Sequence, residues 1–188
     1  MRAQLNYARI LTDLGECTQA KQLLDRVLEV RTETLPDHHP DLQAVRACVA
    51  DELNRMGDHG AALDLYQRAF QRYSQVFPDD HPDVLSTQQG LAATHEALGN
   101  LEDATQLQQR MLEVLGRSLP NEHPKVQSAR EVLADLLVSS GKVEHALELL
   151  RDLVAVLSAA LTADHPRVQR VKLHLAEVVE EGEPPGPR

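Results

Sequence analysis

The sequence is poor in lysine, cysteine and aromatic residues, and it has no long apolar run. Nineteen residues are lysine or arginine, mostly arginine, against 29 aspartate or glutamate, a formal net charge of −10. No Lys/Arg run offers a basic patch. An acidic surface disfavours DNA, RNA and anionic membranes as general partners, so neither nucleic acid nor membrane is expected as a partner. The two cysteines, Cys17 and Cys48, have no metal-ligand spacing, and such sparse use fits a reduced, intracellular protein. No segment approaches the about 20 apolar residues that a membrane-spanning helix needs. The opening MRAQLNYARILTDLG reads as a helix rather than a signal peptide, and the expected location is cytoplasmic. Gly-rich phosphate loops, HExxH, GxSxG and calcium-loop patterns are missing too. No catalytic residue, cofactor or metal ligand is therefore assigned, and the chain is not expected to be an enzyme.

What the sequence does have is a repeat of 42 residues. His39-Pro40, His81-Pro82, His123-Pro124 and His165-Pro166 share one register. Gly15, Gly57, Gly99 and Gly141 share another, as do Ala20, Ala62, Ala104 and Ala146. A period in this range marks a solenoid, whose units bury their apolar faces only against their neighbours. With 42% hydrophobic and 26% charged residues, the composition is that of an ordinary folded domain. The predicted fold is all-α, a stack of helical hairpins over residues 1–180. Its units are 1–38, 39–80, 81–122, 123–164 and a capping helix in 165–180, and 181–188 form a disordered tail.

One unit shows the logic. His39-Pro40-Asp41 opens a helix, with proline in the first turn and an acid near the positive end of the helix dipole. Leu42, Val45, Val49 and Leu53 fall on one helical stripe, and Gly57 ends the helix in a left-handed conformation. A second helix is predicted over 59–76, with Ala62, Leu65, Tyr66, Ala69, Phe70 and Tyr73 on its apolar side. The three aromatic residues read as packing. Leu35, Phe77, Leu119 and Leu161 close the second helices at one register. Ala8, Ala50, Ala92 and Ala134 sit inside first helices, where a small side chain lets two backbones approach and a larger one would overpack the seam. The last helix is predicted over 166–179. Its Val168, Leu175, Ala176 and Val179 cap the final apolar face.

Four regularly spaced histidines invite a metal reading, which geometry rejects. Units are displaced by roughly 10 Å per packing layer, whereas zinc needs donors at about 2 Å from one ion. The His-Pro histidines are expected at helix starts. His95 stands where Leu11, Leu53 and Leu137 stand in other units. It reads as a partly buried histidine with a local hydrogen bond, the alternative being a pH-sensitive spot. Cys48 reads as a small apolar filler.

The small residue at Ala8, Ala50, Ala92 and Ala134, the turn glycine, the second-helix alanine and the turns HHPD, DHPD, EHPK and DHPR resemble the tetratricopeptide repeat (TPR). They are closest to the 42-residue form found in kinesin light chains and in bacterial signalling proteins with similar arrays. The resemblance covers nearly the whole chain. It implies a right-handed α–α superhelical solenoid whose first helices line a concave groove, and an adaptor that takes a protein or peptide partner there. The arginine-rich composition points to a bacterial source. Peptide-binding members often hold the ligand backbone with groove asparagines. This chain has Asn6 at that position and Cys48, Gly90, Val132 and His174 at its later equivalents, so a helical or globular partner fits at least as well as an extended peptide.

The resemblance also places candidate groove residues: Asn6, Arg9, Asp51, Asn54, Arg55, Gln89, Glu96, Glu131, Asp135, Glu177 and Glu180. Arginines gather toward the N-terminal half and carboxylates toward the C-terminal half. That asymmetry suits a basic or amphipathic helical segment at the acidic end. The plainer alternative is that these are solvated helix faces. Two further expectations stand beside the adaptor: a sensor or regulatory fragment of a larger bacterial signalling protein, and a homo-oligomer formed through the terminal helices.

Overall fold

The structure is a computed structural model and describes residues 2–182. Among the described residues there are nine helices and no strand. They are α1 (Arg2–Asp13), α2 (Cys17–Thr34), α3 (Pro40–Arg55), α4 (His59–Val76), α5 (Pro82–Ala97), α6 (Leu101–Ser118), α7 (Pro124–Ser139), α8 (Val143–Ala160) and α9 (Pro166–Gly182). The chain divides into two compact units, the first ending at Asn100 and the second starting at Leu101. In the first, each of α1 to α4 packs on the next helix, and α3 also touches α1 and α5. In the second, α6 packs on α7, α7 on α8 and α8 on α9. Helix α9 continues two residues beyond the expected end of the solenoid, and the rest of the expected tail, 183–188, lies outside the described residues. No described helix is long and apolar enough to cross a membrane.

Helix length is set by two local devices repeated along the chain. The first is the histidine of each His-Pro pair, which caps its own helix. Nδ1 of His39, His81, His123 and His165 accepts the backbone N–H two residues on, at 3.1 to 3.2 Å. An imidazole Nδ1 thus takes the place usually held by the side-chain oxygen of Ser, Thr, Asn or Asp, and the proline between contributes a helical φ and no orphan donor. The second device is the glycine turn. Gly15, Gly57, Gly99 and Gly141 have φ between 76 and 83°, a conformation that side-chain-bearing residues rarely adopt. Each turn closes with the double bond of a Schellman motif. In the second unit, Gly141 N–H reaches Val138 O at 2.9 Å and Lys142 N–H reaches Leu137 O at 2.8 Å.

The connections between repeats are short and self-bonded. His39 N–H returns to Pro36 O, His81 to Pro78 O and His123 to Pro120 O, each at 2.9 Å. Buried Gln43 donates to Asp37 O at 2.6 Å, and Gln169 donates to Ala163 O at 2.8 Å from the same register. Asp37 in turn receives Arg46 at 2.6 Å and Arg72 at 2.5 Å, tying the turn to α3 and α4.

The recurring alanines are buried as expected at Ala8, Ala50, Ala92 and Ala134 and at Ala20, Ala62, Ala104 and Ala146. Tyr66 and Tyr73 are buried, Phe70 is half-buried, and Phe77 stacks on His81 with centroids 4.0 Å apart. The core of the second unit runs through Leu133, Leu137, Leu150, Leu153 and Leu157 to Val168, Val171 and Val178 of α9. Leu175 and Val179 are only partly buried there, and Ala176 is exposed. The cap thus uses the expected Val168, Leu175 and Val179 together with Val171 and Val178, and leaves out Ala176. Cys48 is exposed rather than a filler.

Replacing His123 by alanine removes one cap and should cost about 1 kcal/mol. His123→Asn, with an oxygen of similar reach, should recover most of it, as read by urea denaturation. Hydrogen bonding and charge attraction from Arg46, and then Arg72, hold the Asp37 carboxyl below its usual range. A depressed folded-state value means that its contribution is complete above the ordinary carboxylate range and is lost as pH falls through the depressed value. Asp37→Asn should therefore lower stability at neutral pH and flatten the acid limb of the stability–pH curve.

Candidate functional site: the wall of first helices

Within each compact unit, side chains about one repeat apart cross-link successive first helices. In the first unit, Arg55 on α3 donates to Glu52 at 3.2 Å and to Asp13 on α1. Asn54 donates to Thr94 on α5 at 2.7 Å, and its carbonyl oxygen lies 3.0 Å from His59 Nδ1. Asn54 is thus half-buried in the seam between α3 and α5, and Arg55 is engaged on both sides. Asn6, Arg9, Gln89 and Glu96 are exposed along the same helices.

Asp51 has a different partner. The buried Tyr66 of α4 passes between first helices and donates its hydroxyl to the Asp51 carboxylate. Packing around that carboxyl pushes its pKa up, and the Tyr66 hydrogen bond opposes the shift. Burial, followed by the adjacent Asp51 charge, pushes the Tyr66 hydroxyl up as well. Gly90 makes room for this ring: a Cβ there would lie 2.3 to 2.5 Å from Tyr66 ring and hydroxyl atoms. The glycine that departs from the groove asparagine therefore has a packing cause in the neighbouring helix. Cys48, one turn from Asp51, has its thiol pushed up by burial of the sulfur and then by Asp51 and Glu52. That disfavours a reactive thiolate.

In the second unit, two carboxylates one turn apart on α7 meet two bases one turn apart on α9. Arg170 donates to both oxygens of Glu131, at 3.1 and 3.0 Å. His174 Nε2 lies 2.9 Å from Asp135 Oδ1. Burial raises the Asp135 carboxyl, His174 works against that, and Glu131 adds to it. Glu177 and Glu180 are exposed on α9. The acidic cluster read from the sequence is thus divided. Glu131 and Asp135 already hold bases of the same chain, while Glu177 and Glu180 face solvent.

Sequence reasoning missed these partnerships, although a signal was present. Bridged pairs lie 37 to 42 residues apart, close to one repeat length. His95 is half-buried. Among the described residues, no three His, Cys, Asp or Glu side chains gather as a metal site would require.

Gly90→Ala should cost about 1–3 kcal/mol, because the ring must move or the seam must open. Tyr66→Leu, which copies Leu24 and Leu150 at the same register, should cancel much of that loss in the double variant. A double-mutant cycle by chemical denaturation measures the coupling.

Tetratricopeptide-repeat profiles match residues 1–41 and 47–117. No curated protein matches the chain. Among solved structures, TPR-like repeats described as kinesin light chain, from Podosopora anserina, superpose with a TM-score of 0.87 at 26% identity, covering 95% of this chain and 85% of that one. BtubC (BKLC) from P. vanneervenii gives 0.63 at 21% identity, over 96% and 81% of the two chains. The apo form of RapI gives 0.67 at 11% identity, over 95% and 65%. These last two likenesses concern the fold alone. Repeats of this kind serve as scaffolds for protein interaction. The 42-residue unit, the all-α solenoid of helical hairpins and the matching profiles together make this chain a member of the tetratricopeptide-repeat family, with repeats of the kinesin-light-chain kind.

Proposed function

We propose that the chain is a non-catalytic adaptor whose first-helix wall holds a basic or amphipathic helical segment of a partner protein. The observation that carries this reading is the pair Glu177 and Glu180, exposed one turn apart on α9, in a unit whose Glu131 and Asp135 are internally bridged. Acidic groups left in solvent steer a cationic partner and set its orientation at modest desolvation cost. The partner is taken to be a helix because Cys48, Gly90, Val132 and His174 stand where backbone-holding asparagines would be needed. Of these, Gly90 is faced by the Tyr66 ring and His174 is engaged with Asp135. Asn6, Arg9, Gln89 and Glu96 are the corresponding exposed wall residues of the first unit. Asp51, Asn54, Arg55, Glu131 and Asp135 would shape the wall through their internal bonds. A cytoplasmic, bacterial setting accords with the composition.

The test uses three fluorescent peptides: a basic amphipathic helix, the same helix with acidic residues in place of the basic ones, and an extended basic peptide. The basic helix should bind best, and more weakly as salt rises. Glu177→Lys with Glu180→Lys should weaken it about tenfold or more, with helix content unchanged by circular dichroism. Reversing Glu131 and Asp135 as well should remove the remaining binding and also loosen α7 from α9. Unchanged binding by the folded double variant would overturn the proposal.

A further inference from the structure

The turns that open α3 and α7 share one register, and a single charge separates them. Before α3, the Asp37 carboxylate receives Arg46 Nη2 at 2.6 Å and Arg72 of α4 at 2.5 Å, while Arg46 Nη1 donates to Gln43 Oε1 at 2.9 Å. Before α7, Asn121 stands in place of Asp37, and Gln127 and Arg130 keep the places of Gln43 and Arg46. Arg130 Nη2 donates to the neutral Asn121 Oδ1 at 2.8 Å. Among the described residues, Arg130 has no carboxylate partner. Its Nη1 is buried without a partner, and so is Oε1 of Gln127, a residue only 1% exposed. A guanidinium cannot shed its charge in a protein, so what Arg130 lacks is an anion. Lys172 at the same register of α9 also faces no acid, because Ala163 replaces Asp37 there, but Lys172 is exposed to water.

A groove of about 520 Å³ opens beside this turn, lined by Glu122, Ala155, Val156, Ala159 and Ala160. It follows from side chains that are shorter than their counterparts on α4. Ala155, Val156 and Ala159 take the registers of Gln71, Arg72 and Gln75. On α4, Arg72 crosses to Asp37 and donates to Gln75 at 3.2 Å. A valine at the Arg72 register ends several atoms short of the turn, so the path that Arg72 fills beside α4 is open beside α8. From Leu153 to Ala163 there is no charged side chain. The groove therefore has an apolar floor, and the register of Arg72 directs it to Asn121 and Arg130.

We propose that this groove receives a glutamate side chain of a partner protein, whose carboxylate seats on Arg130 as Asp37 seats on Arg46. The glutamate methylenes lie on the alanines, and its charge is needed only at the inner end. A carboxylate on Nη2 draws the guanidinium into the pose of Arg46, where Nη1 meets the glutamine oxygen, so that both buried orphans are paired. The lip carries one charge, the exposed Glu122, which opposes an acid. Exposed charges on the adjoining segments are of both signs, Glu113, Asp152 and Asp164 against Arg117, Lys125 and Arg151. Steering over distance is therefore weak, and recognition rests on contact with Arg130. This site uses a turn and a second helix, and it does not rest on the reading given to the first-helix wall.

Two measurements on the full chain test the proposal. In urea denaturation, Asn121→Asp should raise the midpoint, because it supplies within the chain the acid that the partner brings. In an Arg130→Met background the same substitution should give no gain. In an NMR titration that follows arginine side chains and alanine methyls, the probe is a short acetylated peptide with one glutamate and no other charge. It should shift Arg130, Ala155 and Ala159 saturably, and its glutamine twin should not. Asn121→Asp should weaken that binding about tenfold or more, since the added carboxylate occupies the guanidinium. Four results sink the idea: no gain in midpoint from Asn121→Asp, no saturable shift with the glutamate peptide, equal shifts with its glutamine twin, or free acetate acting as strongly as the peptide, which marks an adventitious ion only.

Discussion

Helix length is the constraint on which the rest of this structure depends. Each of α3, α5 and α7 has 16 residues, and each of α2, α4, α6 and α8 has 18. The imidazole caps and the left-handed glycines hold those lengths by hydrogen bonds made within a few residues. A histidine one residue out of place would start its helix late, and every side chain beyond it would turn by about 100°, since a helix has about 3.6 residues per turn. With the lengths held, the small alanines fall at the helix crossings, and a wall residue meets its partner close to one repeat away.

The wall owes its chemistry to that register. Polar residues that alone would be solvated are brought within bonding reach of the neighbouring first helix. Arg55 finds Asp13, Asn54 finds Thr94, Glu131 finds Arg170, and Asp135 is met by His174. Exposed pairs of this sort add little stability individually. Their larger effect is to choose which charges remain available to a partner, and on α9 Glu177 and Glu180 are exposed. Tyr66 and Gly90 show the same interdependence in the packing, where a large ring on a second helix is matched by a missing side chain on a first helix.

Burial follows the same logic at the ends. The positions equivalent to Tyr7 and Ile10 are buried on α3, α5 and α7 and these two are exposed on α1, and an alanine that is buried on α1, α3 and α7 is exposed on α9.

Much of this was legible in the sequence because it is local or periodic. The 42-residue spacing, the helix boundaries, the glycine turns and the buried alanines depend on neighbours within one or two helical turns, or on a pattern repeated identically. The candidate site was legible only as a set of positions. Whether Glu131 is free or bridged, why Gly90 is glycine, why Ala176 lies in solvent and Val171 does not, and that Cys48 is a surface residue depend on distances between helices and on the directions in which side chains leave them. A repeat fixes which residues are equivalent. Only the packed helices decide which of those equivalents touch, because hydrogen bonds and steric exclusion act over a few ångströms between residues some 40 positions apart in the chain.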